Sequence, residues 1–242
     1  MTSSPLPVTL VVLDIAGTTV EEHGTVYDVL AQAAREAGSH AGPADVAAWT
    51  GAEKRGALDA LLRIGADGPR GTTEDEVDAA FARFDELLAA RYAAQPPTEI
   101  PGAATAFAEL RKAGVKVALT TGFTRDVTRG VLDAVGWTVA RMPEEQLDDA
   151  VTVDAVTCGD EVASGRPAPY LVHRSMERTG TTEVSRVLVA GDTVRDLRSG
   201  RNAGAGFVVG VRSGVLDDAG LGLERHDFVL DSVADLPRLV LG

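Results

Sequence analysis

Apolar positions along the chain follow two rhythms. VTLVVLD (8–14), VKVALTTG (115–122), DAVTCGD (154–160), RVLVAGD (186–192) and GFVVGV (206–211) are short runs, nearly continuous in apolar residues. Such runs read as strands covered on both faces. Between them, apolar residues recur at helical spacing over about 102–113, 124–135, 168–179 and 194–203, and Gly114, Gly136, Gly180 and Gly204 follow as stops. Strand and helix in alternation predict an α/β fold, a doubly wound parallel-sheet (Rossmann-like) core.

The first strand breaks the alternation. Residues 24–92 contain no convincing strand and three helical patterns, TVYDVLAQAAREAG, GAEKRGALDALLRIG and TEDEVDAAFARFDELLAARYA. The Pro-rich AQPPTEIPG (94–102) reads as a linker back to the α/β rhythm. The expected organisation is an α/β core of residues 1–22 and 94–242, with a helical cap of residues 23–93 inserted after the first strand. The tail, 213–242, adds a strand near DFVL and a short helix.

Composition narrows the partners. The 242 residues carry a formal net charge of −13, which argues against nucleic acid, whose phosphates need clustered Lys and Arg. It leaves a small anionic ligand open, since such a ligand responds to the local field. A single cysteine, Cys158, excludes an internal disulfide and suits a reducing compartment. Cys158 itself reads as a small buried apolar residue. The four histidines are scattered without metal-ligand spacing. The apolar run Val8 to Leu13 is too short for a membrane span and lacks a basic flank, so the expectation is a cytoplasmic protein with no membrane contact.

In an open parallel sheet, ligands bind beyond the carboxyl ends of the strands. Four such ends carry Asp14, then Thr120-Thr121-Gly122, then Gly159-Asp160, then Gly191-Asp192-Thr193. Asp14 and Asp192 could share a hard cation such as Mg²⁺. Asp196, one helical turn beyond Asp192, would brace the site from behind. Thr121 and the amides of Gly122 and Phe123 sit where a helix is expected to begin, an anion site. Arg166, in SGRPAP, adds a fixed positive charge from a loop. Each has a plainer reading: a strand-end Asp as a helix N-cap, Thr121 as a turn residue, Arg166 as a surface ion pair. The plainer readings weaken because all four segments carry such groups at the same topological position.

The order of these motifs, Asp14-x-Ala16-Gly17-Thr18-Thr19, then Thr121, Arg166 and Gly191-Asp192-x3-Asp196, resembles the haloacid dehalogenase superfamily. DIAGTT, TTGFTRD, GRPAPY and GDTVRDLRSGRNAG resemble more closely its phosphonoacetaldehyde hydrolase (phosphonatase) branch and phosphonatase-like relatives. The resemblance covers the whole chain, the inserted cap included. It implies that Asp14 is a nucleophile that takes the phosphoryl group, that Asp14, the Ala16 carbonyl and Asp192 hold Mg²⁺, and that Thr121, Gly122 and Arg166 bind phosphoryl oxygens. It also implies a homodimer formed through cap helices. Most phosphatases of the superfamily place a second Asp where this chain has Ala16, an acid that protonates a departing alkoxide. Phosphonatase works without it, because a cap lysine forms a Schiff base with the aldehyde and the C–P bond breaks to an enamine.

The candidate lysine is Lys54. Thr50 and Glu53 have capping-box spacing, which would start a helix at Gly51 and place Lys54 in its first turns. There it shares a face with Leu58 and Leu61, at the edge of the apolar stripe. A positive helix end and a partly apolar setting both disfavour the ammonium form. The plainer reading is an exposed lysine at a helix edge. Three positions depart from phosphonatase: Ala57 replaces a His, Thr50 a Met, and Phe123 a Tyr. These lie toward the aldehyde end of the substrate and leave the phosphoryl chemistry intact. Three readings follow: a phosphonatase-type hydrolase of a small phosphonate, a phosphomonoesterase of the same fold, and a catalytically idle domain that binds a metabolite or a protein partner.

Overall fold

The computed structural model describes residues 5–65, 67–140 and 152–242. The chain divides into two compact units, Met1–Glu21 with Thr98–Gly242, and Glu22–Pro97. In chain order, β1 (Leu10–Asp14) and a two-residue strand β2 (Val20–Glu21) precede the second unit. That unit contains α1 (Thr25–Glu36), α2 (Pro43–Ala47), α3 (Lys54–Leu62), a short hairpin of β3 (Ile64–Gly65) and β4 (Gly68–Pro69), and α4 (Glu74–Ala94). The first unit resumes with β5 (Thr98–Glu99), α5 (Ala103–Lys112), β6 (Lys116–Thr120), α6 (Arg125–Val135) and β7 (Ala155–Thr157). It ends with α7 (Tyr170–Thr179), β8 (Val187–Gly191), α8 (Val194–Ala203), β9 (Phe207–Val211), α9 (Asp218–Leu221), β10 (Phe228–Leu230) and α10 (Leu236–Leu241).

The first unit is built on a six-stranded sheet in the order β10-β9-β8-β1-β6-β7, and every pairing in it is parallel. β1 lies between β8 and β6 and is buried along all of its length. Its apolar run is continuous because helices cover both faces, which leaves no solvent side for polar residues. Leu10, Val12, Ala118, Val187, Val189, Leu197 and Val208 join one buried cluster. In register, Asp14 stands opposite Thr120, and Thr120 opposite Thr157, so the carboxyl ends of β1, β6 and β7 are level.

The structure corrects several expected boundaries. The third strand stops at Thr157, short of Asp160, because the Glu161 carboxylate accepts the Cys158 amide at 2.8 Å and a short helical turn, Gly159–Glu161, begins. Part of the expected linker is a strand: β5 pairs antiparallel with β2. The helical unit also holds the β3–β4 hairpin and the short α2, neither of which the periodicity indicated. Elements of two to five residues are too short to set a period.

Within the second unit, α1 and α3 pack on α4, burying Val29, Leu30 and Ala33 of α1, Leu58, Leu61 and Leu62 of α3, and Phe84 and Leu88 of α4. α4 starts at a capping box between Thr73 and Glu76, two orphan amides being satisfied reciprocally. No helix among the described residues is long and apolar enough to cross a membrane.

Candidate active site

β1 ends at Asp14, and the chain turns at once. The amides of Thr19 and Val20 both donate to the Ile15 carbonyl at 2.9 Å, the Gly17 amide donates to the Val20 carbonyl at 2.8 Å, and Thr19 Oγ1 donates to the Asp14 carbonyl at 3.0 Å. This closed turn fixes the backbone on which the Asp14 side chain stands and leaves the side chain to other partners.

Those partners come from distant loops. Arg166 Nη2 donates to Asp14 Oδ1 at 2.6 Å and to Thr120 Oγ1 at 3.0 Å, and Arg166 Nη1 lies 2.9 Å from Asp196 Oδ1. One guanidinium therefore ties β1, β6 and the first turn of α8 together. Its planar fork suits this task; a point charge could not serve three acceptors in fixed directions. Arg166, read from sequence as a loop charge, is only 8% exposed, which removes the surface ion-pair reading.

Asp196 has two partners of different kind. Its Oδ2 accepts from the Thr193 amide at 3.0 Å and from Thr193 Oγ1, closing the cap of α8, while Oδ1 meets Arg166. Asp192 does not cap α8, since Thr193 does. Asp192 Oδ1 accepts from Thr18 Oγ1 at 3.1 Å and Oδ2 from the Val215 amide at 2.9 Å. Gly17 and Gly214 form a close cradle around it: a Cβ on either would come within 2.7 Å and 2.1 Å of Asp192 Oδ2.

Asp14, Asp192 and Asp196 are buried, and one oxygen from each lies within 4.8 Å of the others. Among the described residues, the Arg166 guanidinium bridges two of these carboxylates, Asp14 and Asp196. Burial pushes Asp14 up to about 6, although Arg166 pulls the other way. Burial, with the charges of Asp196 and Asp14, pushes Asp192 up to about 8. Burial alone would lower Arg166, but the three carboxylates hold it above its ordinary value. The site carries more negative charge than one guanidinium offsets, and its donors are all oxygens, which is the chemistry of a hard divalent cation.

The other candidate residues fall as follows. Thr121 is buried just beyond Thr120, and its Oγ1 accepts the Phe123 amide at 3.1 Å. α6 begins at Arg125 with Thr124 as its N-cap, as the spacing over about 124–135 indicated, so Thr121, Gly122 and Phe123 lie ahead of the helix and not at its start. Asp160 accepts the Arg125 amide and is exposed. Cys158 is buried against Thr128, and burial pushes its thiol up, as fits a core residue.

In the second unit, Lys54 is buried, 4% exposed, which removes the reading as an exposed helix-edge residue. The expected capping box at Thr50 and Glu53 does not form. Gly51 has φ +73°, which no α-helix continues through, and α3 begins at Lys54. Glu53 itself is the cap, accepting the Arg55 and Gly56 amides at 2.5 and 2.7 Å, while Thr50 Oγ1 donates to the Ala47 carbonyl.

Thr18 and Thr120, which the motifs contained without giving them a role, and the Ser213–Val215 loop, which the motifs did not include, complete the surroundings of the carboxylates. The loop follows β9, a fifth strand end at the same edge of the sheet, and that position was the signal that could have found it.

Comparison with known proteins shows the family. A family model described as haloacid dehalogenase-like hydrolase matches residues 8–204. The chain is 31% identical over 158 residues, 64% of this chain and 53% of the relative, to a phosphonoacetaldehyde hydrolase of Bacillus thuringiensis (strain Al Hakam). It is 32% identical over 165 residues, 66% and 55% respectively, to a phosphonoacetaldehyde hydrolase of Bacillus cereus. The matches span about half the length of these relatives. Among solved structures, a phosphonoacetaldehyde hydrolase-like protein from Oleispira antarctica aligns with a TM-score of 0.78 at 21% identity, covering 98% of this chain and 93% of that one. A hydrolase from Pseudomonas syringae aligns with a TM-score of 0.76 at 21% identity, covering 94% and 95%. By the family match and the residues that carry it, the chain belongs to the haloacid dehalogenase-like hydrolases.

Proposed function

We propose that the protein is a Mg²⁺-dependent hydrolase of phosphonatase type, cleaving the C–P bond of phosphonoacetaldehyde or a related small phosphonate. The observation that supports it most is the buried group of Asp14, Asp192 and Asp196 around Arg166, with alanine two residues after the reactive aspartate. Mg²⁺ fits this donor set: Asp14, Asp192 and the Ala16 carbonyl would hold it, and bound there it would neutralise phosphoryl oxygens.

In this reading, Asp14 attacks phosphorus and takes the phosphoryl group as an aspartyl phosphate, splitting one hard displacement into two easier ones. Arg166 and Thr121 receive phosphoryl oxygens as charge spreads over them. Lys54 condenses with the aldehyde, releasing water. The C–P electron pair then flows toward the iminium nitrogen and leaves an enamine. Protonation and hydrolysis of that enamine return acetaldehyde and free Lys54, and water releases phosphate from Asp14. None of these steps expels an alkoxide, so none requires an acid at position 16.

Phosphomonoester hydrolysis is the second reading. It is favoured by Ala57, fully buried on α3, and by Thr50, bonded to the Ala47 carbonyl. Neither side chain offers what phosphonatase carries at those positions. A screen of phosphonates and phosphate esters with Mg²⁺, measuring released phosphate and acetaldehyde separately, tests both. Acetaldehyde in step with phosphate is the expected result; phosphate from esters alone would overturn the C–P reading. Loss of all turnover on Asp14→Asn removes an idle binding domain.

A further inference from the structure

The chain has three lysines, Lys54, Lys112 and Lys116, against many arginines, and Lys54 is the buried one of the three. It stands at the first position of α3, where the positive end of the helix disfavours a cation. A buried lysine in such a place needs support from outside its own helix. The support comes from α1. Lys54 Nζ lies 5.3 Å from the centroid of the Tyr27 ring, and it donates to the Ala52 carbonyl at 2.7 Å. The Tyr27 hydroxyl in turn accepts the Gly51 amide at 2.9 Å. Gly51, at φ +73°, is the turn residue that presents the Ala52 carbonyl.

We propose that Tyr27 is the positioning residue for the Lys54 amine, acting twice: its ring holds the cationic nitrogen, and its hydroxyl pins the Gly51–Ala52 turn that orients it. The inference rests on the proposed use of Lys54 as a Schiff-base former. The ring offers a negative face to the ammonium and to the iminium that would replace it, so it holds the nitrogen in one place through the condensation and does not favour one cation over the other. The hydroxyl has a different task. Without it, the turn loses the bond that fixes the Ala52 carbonyl, and the amine loses direction while keeping its aromatic contact.

Two substitutions separate these tasks. Tyr27→Phe keeps the ring and removes the hydroxyl; Tyr27→Leu removes both. Biosynthetic ¹³Cε-lysine labelling gives three resonances, of which that of Lys54 is assigned by Lys54→Met. The expected result is a ring-current shift of the Lys54 methylene in the wild type and in Tyr27→Phe, lost in Tyr27→Leu while circular dichroism stays native. With phosphonoacetaldehyde and borohydride, reduced adduct on Lys54 should fall on the order of 10-fold or more in Tyr27→Leu, because a misplaced amine meets the aldehyde less often in a reactive geometry, and less in Tyr27→Phe. The fall should appear in kcat more than in KM. A folded Tyr27→Leu protein that keeps the wild-type shift or the wild-type adduct yield would overturn the proposal. A wild-type protein that shows the shift and forms no adduct would remove the Schiff-base reading and uphold the positioning by Tyr27.

Discussion

Arg166 Nη2 donates to Asp14 Oδ1 at 2.6 Å across 152 positions of sequence, and both side chains are almost wholly buried. This pair joins the residue proposed as nucleophile to the cation proposed to receive the phosphoryl group. The guanidinium is held from its other side by Asp196 at 2.9 Å, so it does not depend on Asp14 for its place. Phosphoryl oxygens arriving beside Asp14 would meet a donor that is already oriented, and such preorganised charge is the strongest aid to the reaction that a site of this kind can supply.

Arg166→Ala should therefore lower kcat/KM by about 10²–10³-fold or more. It should also cost stability, on the order of 3–5 kcal/mol, because Asp14 and Asp196 lose their buried partner. Arg166→Lys keeps the charge but cannot fork between Asp14, Thr120 and Asp196. It should recover most of the stability and little of the activity. Urea unfolding and steady-state kinetics on the same preparations check this; equal recovery of both would mean that charge alone matters.

Asp192→Asn should stabilise the metal-free protein at pH 8 and leave it unchanged near pH 4. Burial raises the folded-state value for Asp192 from 3.8 to about 8. Between those values the folded state binds more protons than the unfolded one, so wild-type stability falls as pH rises through that window. The amide carries no charge and escapes the fall. The Thr18 hydroxyl can turn to accept from it while the Val215 amide keeps an acceptor. Thermal melts of both proteins in chelator from pH 4 to 8 test the sign. A wild type that gains stability over that range contradicts the raised value.

Mg²⁺ binding should release protons and strengthen with pH. Burial leaves part of Asp14 and much of Asp192 protonated at neutral pH, and a hard cation requires both as carboxylates. Affinity should rise from pH 6 to pH 8 and flatten above it. Titration calorimetry in buffers of different ionisation enthalpy reads the proton count directly. A heat independent of buffer at pH 7 would show that the carboxylates are already ionised.

Ala16→Asp should raise activity on ordinary phosphate esters. An acid placed two residues after Asp14 can protonate an alkoxide leaving group, an effect on the order of 10²–10⁴-fold where geometry is right. C–P cleavage has no alkoxide to protonate and should gain nothing. Hydrolysis of an alkyl phosphate and of phosphonoacetaldehyde by the same variant, shown by calorimetry to bind Mg²⁺, makes the comparison. No gain on esters, together with good ester hydrolysis by the wild type, would move phosphomonoester hydrolysis ahead.

The strands were legible because a sheet covered on both faces demands continuous apolar runs; Leu10–Leu13 and Val187–Ala190 announce themselves. That Asp14 and Asp192 meet was legible because parallel topology delivers strand ends to one edge, and β1 and β8 are neighbours in the sheet. Spacing set Asp196 one helical turn beyond Asp192, but its cap with Thr193 became visible only in the structure. What spacing could not carry was which side chain meets which across loops. Arg166 joins Asp14, Thr120 and Asp196 from a loop whose course only packing sets, and the Val215 amide reaches Asp192 from a turn after β9. The sequence placed Lys54 on a face with Leu58 and Leu61, but its burial, and its setting against Tyr27 and the Ala52 carbonyl, came from the approach of α1 and from the left-handed turn at Gly51. Local pattern fixes periods, because these act over a few residues, but a cap also depends on the turn before it, as Gly51 shows at the Thr50–Glu53 spacing. The partners of a buried charge are chosen by whatever the folded chain brings within hydrogen-bond reach.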